Sequence, residues 1–245
     1  MDKFTKLNPI LEILKSSPQR VSKILIQKDK FNKRIKEIIT LAKGKNVPVV
    51  FVPKSNLDQK DSSHQGIIAL LSFKEYCSIE EILTQSPLPF LVILDGIEDP
   101  RNLGAIIRSA EGAKVDGIIL PERRSVGLTE TVAITSAGAI ENVKIARVKN
   151  LSRLIDQLKE KDIWVIGAEA GQEEYWYEFD YTLPIALVFG SEGKGLHRII
   201  RKKCDKILSI PLLGEINSLN ISVAASIFLF EVTRQRMSSK NSSNN

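Results

Sequence analysis

Three stretches hold residues whose types and spacing could do chemistry. The first is DPRNLGAIIRSAEG, residues 99–112. Leu103, Ile106, Ile107 and Ala110 recur at i, i+3, i+4 and i+7, so they form one apolar helical stripe. At about 100° per residue, Gly104, Ala105 and Gly112 cluster with Arg108 on the opposite side. A guanidinium in a face of tiny side chains can clamp a phosphate or stabilise a developing alkoxide. It is a poor base, because arginine side chains stay protonated in proteins. The pattern leaves space around a single guanidinium, which an ordinary solvated helix face does not require.

The second stretch is FGSEGKGL, residues 189–196, a glycine loop carrying Glu192 between a strand and a helix. Its order is GxxGxG rather than GxGxxG, and the residue about twenty positions on is Ile210 instead of the ribose-binding acid of dinucleotide folds. Leu196 stands where a phosphate-binding loop requires lysine. Glycines that let backbone approach a ligand, beside a fixed acid, remain. The third stretch, IPLLGEINSLNISVAAS, residues 210–226, sets Asn217, Ser218, Asn220 and Ser222 at the start of a greasy helix. One of them must cap it. The remainder exceed what a cap needs and suit a polar ligand at the helix N-terminus.

Other chemistries find little support. His64 and His197 are the only histidines, lie outside these stretches and fall in no HxxxH or HExxH pattern. Cys77 and Cys204 make no CxxC, so neither a metal site nor a disulfide is expected. A hydride-transferring enzyme is disfavoured by the missing dinucleotide fingerprint.

The elements that must position these residues follow from periodicity. Apolar strands are expected at 90–95, 117–120, 143–148, 163–168, 184–189 and 206–210, with helices at about 102–113, 128–139, 151–161, 196–202 and 218–236. Short apolar strands alternating with helices predict an α/β fold with a parallel sheet covered on both faces. The carboxyl ends of such strands share one edge, where Asn102, Arg108, Glu192, Ser218 and Asn220 could meet. The last helix reads as apolar nearly all round, hence deeply buried, and the tail SSKNSSNN as disordered. Before this region lies a smaller α/β unit: helices near 9–15 and 31–44, and strands at 21–27, 47–52 and 66–72. CSIEEILTQSPLP, residues 77–89, reads as a linker with a capping box at Ser78 and Glu81.

The 245 residues carry a formal charge of +6. Residues 1–73 hold 14 Lys+Arg against 6 Asp+Glu, a net +8, and the remainder 21 against 23, a net −2. The basic excess in the first third is the footprint expected for a nucleic-acid backbone. No apolar run spans a bilayer and no signal peptide is evident, so a cytoplasmic protein is expected.

NLGAIIRSA, LVFGSEGKGL and IPLLGEINSLNISVAAS together resemble, in order and spacing, the three motifs of the SpoU (TrmH) family of RNA ribose 2′-O-methyltransferases. The first third, with HQGIIA at 64–69, is similar to that family's substrate-binding domain, which is like ribosomal protein L30e. The resemblance implies an L30e-like RNA-binding domain at 1–73, a linker at 74–89, a trefoil-knotted parallel-sheet methyltransferase domain at 90–237 and a tail at 238–245. It implies S-adenosylmethionine as methyl donor, bound by Gly190, Ile210 and Leu219, and a homodimer. Asn102, Arg108, Glu192, Ser218 and Asn220 match the catalytic motifs. The layout is most similar to enzymes acting on a guanosine of large-subunit (23S) ribosomal RNA. A tRNA-directed enzyme and a non-catalytic L30e-like RNA-binding protein are the alternatives. The stretch 169–184 has no role in this comparison.

Overall fold

The computed structural model describes residues 3–242 apart from Phe31, Phe73 and Lys194. The chain divides into two compact units. One holds the residues up to Tyr76 with Gly127–Glu130; the other holds Cys77–Val126 and the chain from Thr131 onward.

In the first unit, β1 (Lys3–Phe4), α1 (Leu7–Ser16), β2 (Val21–Gln27), α2 (Lys33–Gly44), β3 (Val49–Val52), α3 (Lys54–Asp58) and β4 (Ile67–Leu71) follow one another. The sheet order is β1-β4-β2-β3. Strand β2 runs parallel to β3 and antiparallel to β4. Asn32 caps α2 by accepting the Ile35 N–H at 2.8 Å, so the helix presents Ile35, Ile38 and Ala42 to a core that includes Ile10, Leu14, Ile24 and Ile26. Gly127 packs closely within this unit, where a Cβ would lie 2.2 Å from Ser22 Oγ.

The second unit begins with α4 (Ile79–Leu83) and continues as β5 (Phe90–Asp95), α5 (Pro100–Gly112), β6 (Gly117–Pro121), α6 (Glu130–Thr135), β7 (Ile145–Val148), α7 (Leu151–Lys159), β8 (Trp164–Ala168), β9 (Ile185–Gly190), α8 (Arg198–Lys203), β10 (Lys206–Leu208) and α9 (Ile221–Ser242). Its strands pair in the order β10-β8-β9-β5-β6-β7, all parallel. Every residue of β5 and β9 is buried, as their unbroken apolar runs require. Asp95 and Gly190 lie opposite each other at the carboxyl ends of these central strands. A ligand crevice belongs at that edge.

Three expectations are corrected. The segment read as a linker is part of the second unit. Its capping box forms, with Glu81 N–H donating to Ser78 Oγ at 3.1 Å, and it buries Ile82 in the core. Gly117 makes this possible, since a Cβ there would meet Ile82 Cγ2 at 2.5 Å. The expected disordered tail is helical through Ser242, and residues 243–245 lie outside the described residues. Helix α9 is not buried all round: Ala225, Phe228, Leu229 and Val232 face the core, whereas Val223, Phe230 and Met237 are about half-exposed or more. Among the described residues no helix is long and apolar enough to cross a membrane.

Candidate active site

Helix α5 opens on Asp99, whose carboxylate accepts the Arg101 N–H at 2.8 Å, with Pro100 at its first position. The first turn then buries Asn102 at the carboxyl edge of the sheet. Strand β9 ends at Gly190, where the chain doubles back on itself. Ser191 and Gly195 exchange backbone hydrogen bonds at 3.0 Å in each direction. A Cβ on Gly190 would lie 2.1 Å from the Gly195 carbonyl carbon, so only glycine admits this crossing. Gly193 and Gly195 hold φ of +76° and +65°. The tight turn presents Glu192 to Asn102.

The third stretch supplies the remaining side. Helix α9 begins only at Ile221, and residues 210–220 run as irregular backbone. Asn220 is the cap: its side-chain oxygen accepts the Ser222 N–H at 2.9 Å and the Ser222 hydroxyl at 2.6 Å. That fixes the amide, so its nitrogen faces Glu192 and Asn102. Asn220 Nδ2 donates to Glu192 Oε1 and to Asn102 Oδ1, each at 3.0 Å, and Asn102 Nδ2 donates to Glu192 Oε1 at 2.7 Å. Charge-assisted hydrogen bonds of this kind hold a carboxylate in one orientation. Residues 90 and 118 positions apart are thereby brought into one network.

Beside the network opens a cavity of about 760 Å³, lined by Gly190, Glu192, Ile210, Ser218, Leu219 and Asn220 among others. It has the size of a small-molecule site. Its walls mix apolar side chains (Phe189, Leu208, Leu212 and Phe228) with the backbone of the glycine loop. A smaller cavity lined by Gly96–Asp99 and Asn102 shares Glu192 with it.

Arg108 stands apart. It is exposed, it does not line either cavity, and it makes no hydrogen bond or ion pair with a described residue. One member of the small face has a cause within the fold. A Cβ on Gly104 would meet Thr135 Oγ1 at 1.8 Å, so this glycine admits α6. A Cβ on Gly112 would make an ordinary contact with Phe230 of α9 at 3.6 Å.

Two features escaped the sequence reading. The stretch 169–184 clasps the chain where it leaves β10. Ser209 N–H donates to the Glu174 carbonyl and Trp176 N–H to the Ser209 carbonyl, each at 2.9 Å. Its aromatics stack, with Phe179 and Tyr181 edge to face at 5.2 Å. Asp95 is also a buried acid at the edge; it accepts the His197 N–H at 2.9 Å and lies 3.0 Å from His197 Nδ1, tying α8 to β5. Burial pushes the Cys204 thiol up to about 12, with Asp205 adding to the effect, so it stays protonated at neutral pH. Among the described residues no group of three or more His, Cys, Asp or Glu is placed to hold a metal ion.

Comparison with known proteins identifies the family. Residues 89–230 match the SpoU rRNA methylase family model, and residues 7–77 match the model for RNA 2′-O ribose methyltransferase substrate binding. YacO of Bacillus subtilis strain 168, assigned to the TrmH family of tRNA/rRNA methyltransferases, is 40% identical over 94% of both chains. A Staphylococcus aureus protein of the same assignment is 45% identical over 88% of this chain and 89% of its own. Among solved structures, the SpoU methyltransferase AviRb of Streptomyces viridochromogenes, in complex with its cofactor AdoMet, has a TM-score of 0.63 at 23% identity, covering 96% of this chain and 90% of its own. The A. aeolicus TrmH/SpoU tRNA modifying enzyme has a TM-score of 0.58 at 27% identity, covering 65% and 81%. The chain with the Asn102–Glu192–Asn220 network at its sheet edge belongs to the SpoU/TrmH family of RNA methyltransferases.

Proposed function

We propose that this protein transfers a methyl group from S-adenosylmethionine to a ribose 2′-hydroxyl of RNA, on a guanosine of large-subunit ribosomal RNA. The observation that carries the reading is the cavity formed by the glycine loop and residues 210–221, with Glu192 held by Asn102 and Asn220 at its rim. The cavity fits the cofactor: apolar walls suit the base, bare glycine backbone allows close approach, and carboxylate and amide groups suit a cationic amino-acid tail. Gly190, Ile210 and Leu219 hold it largely through backbone. When bound, S-adenosylmethionine supplies an already activated methyl group on a sulfonium.

The chain's own residues then have to bring the ribose hydroxyl in line and stabilise the alkoxide that forms as it loses its proton. Arg108 carries the fixed positive charge for this, forking onto an RNA phosphate and facing the developing oxyanion. Glu192, Asn102, Ser218 and Asn220 keep the reacting ends aligned. Arg108 lies outside the cavity of its own chain, and we infer that it serves the site in a homodimer. Val223, Phe230 and Met237 recur every seventh residue on α9 and are exposed, a stripe suited to a second copy. Arg108 lies one turn from Gly112, which neighbours Phe230 on this face. The trefoil knot of the family would pass through residues 209–220, where the 172–176 segment clasps Ser209. The basic first unit, with its substrate-binding match, is assigned to RNA recognition.

The test is methyl transfer from labelled S-adenosylmethionine into unmodified total RNA sized on a gel, with Arg108→Ala alongside. Label in large-subunit RNA that disappears in the variant is expected. Label confined to tRNA overturns the substrate, and label unchanged in Arg108→Ala overturns the assignment of that residue.

A further inference from the structure

Glu169 and Glu192 are the two acids in the wall of the cavity, and they are in different states. Glu192 Oε1 already accepts both amides of the network. Glu169 belongs to none of the three motif stretches. It follows the last residue of β8, with its own N–H donated to the Leu208 carbonyl at 3.1 Å, at the carboxyl edge of the sheet. Its side chain turns over the glycine loop. Oε1 lies 2.9 Å from where a Cβ of Gly195 would be, so the carboxylate rests in the space that this glycine leaves.

The carboxylate is held from behind. Arg201 of α8 donates Nε to Oε2 at 2.6 Å and Nη2 to Gln172 at 3.1 Å. Oε1 accepts no hydrogen bond from a described residue. An aimed carboxylate with an open acceptor oxygen, beside bare backbone and apolar walls, suits a sugar hydroxyl. Dinucleotide folds use an acid for the ribose at a comparable edge, reached about twenty residues after their glycine loop. Here that position is Ile210, and the acid arrives instead from the neighbouring strand, before the loop in sequence.

We propose that Glu169 is a cofactor-binding residue that accepts a hydrogen bond from a ribose hydroxyl of the S-adenosylmethionine nucleoside, and that Arg201 positions it. This rests on the reading of the cavity as the S-adenosylmethionine site. The orientation puts the nucleoside sugar against β8 and leaves the Glu192 side of the cavity for the reacting end.

The experiment is calorimetric titration of the full-length protein with S-adenosylhomocysteine and its 2′-deoxy and 3′-deoxy analogues, for the wild type, Glu169→Ala, Glu169→Gln and Arg201→Ala. A hydrogen bond to a charged group predicts a loss of about tenfold or more in affinity when either partner is removed. Glu169→Ala is therefore expected to weaken S-adenosylhomocysteine by that factor while binding one deoxy analogue as the wild type does. Arg201→Ala should give a smaller loss with the same pattern. Glu169→Gln keeps the side-chain shape and a neutral acceptor, so a smaller loss than for alanine with the same pattern across the three ligands is expected, and Glu169→Leu repeats the full comparison if the alanine variant melts early. An equal loss for all three ligands, as a structural role would give, overturns the proposal, as does unchanged binding. Failure of the wild type to bind S-adenosylhomocysteine overturns the cavity assignment itself, and the Glu169 proposal with it.

Discussion

Asn220 shows how one side chain sets a site. Its oxygen caps α9 and its nitrogen bonds Glu192 and Asn102, so cap and network are the same residue. Arg108 is the opposite case, exposed and without a hydrogen-bond or ion-pair partner among the described residues. Arg108→Ala is expected to lower kcat by about 10²- to 10³-fold, the usual cost of losing one electrostatic donor to a developing oxyanion. Arg108→Lys should recover little, because an ammonium cannot fork onto a phosphate. The Kd for S-adenosylhomocysteine should stay within about twofold in both, since Arg108 does not line the cavity; a large loss of affinity would move Arg108 into the cofactor site. Cys204 gives a check on the packing behind that site. With its thiol raised to about 12, almost no thiolate exists at pH 8. Folding raises this value, so reactivity should appear only on unfolding or as the pH climbs toward it. In Cys77→Ser, which leaves Cys204 as the one thiol, titration with Ellman's reagent at pH 8 is expected to show slow labelling in the native protein and full labelling in guanidinium. Asn102, Glu192 and Asn220 were legible as polar residues of three stretches that each lead into a helix at the carboxyl edge of one parallel sheet. Glu169 was not, because nothing in EAGQEEYWYEFDYTLP marks one acid among several.

At the level of elements, α5 shows that one sequence pattern can have two physical causes. Its apolar stripe is buried as expected, with Leu103, Ile106, Ile107 and Ala110 at zero exposure. Gly104 answers to a neighbour in the fold, and Gly112 does not. Gly104→Ala forces a methyl into Thr135 and the Val132 carbonyl, which should destabilise by about 1–3 kcal/mol, the usual range for overpacking. For a chain of this size that is a fall in Tm of about 2–4 °C per kcal/mol. Gly112→Ala meets only ordinary contact with Phe230 and should leave Tm unchanged or raise it. Thermal melts of the two variants separate internal packing at Gly104 from a face kept open for a partner. Equal Tm values would restore the latter explanation for both glycines. The helix pattern alone could not distinguish these, since α6 is about thirty residues away in sequence.

For the whole molecule the open question is assembly. Helix α9 looked uniformly apolar in sequence, and the fold buries one side while leaving Val223, Phe230 and Met237 outward. On the homodimer proposed above, Phe230→Asp is expected to shift the sedimentation-equilibrium mass from dimer to monomer near 27.3 kDa, because a charge buried in an apolar contact is costly without a partner. Methyl transfer should fall with dissociation, while cofactor binding within the cavity persists. A variant that is monomeric and fully active would detach Arg108 from any role across subunits.

The alternation of apolar strands and amphipathic helices, the glycine loop and the surplus of polar residues before α9 were all local properties. Periods of two and 3.6 residues, turn chemistry and capping act within a few positions, so residue order sufficed to reveal them. What residue order could not carry was which surface each element meets. The insertion of β9 between β8 and β5 brings Glu169 beside Gly195, the packing of α6 claims Gly104, and no described element of the chain covers the Val223, Phe230 and Met237 side of α9. Those outcomes depend on distances between residues far apart along the chain, and only close packing of the folded sheet and helices sets them.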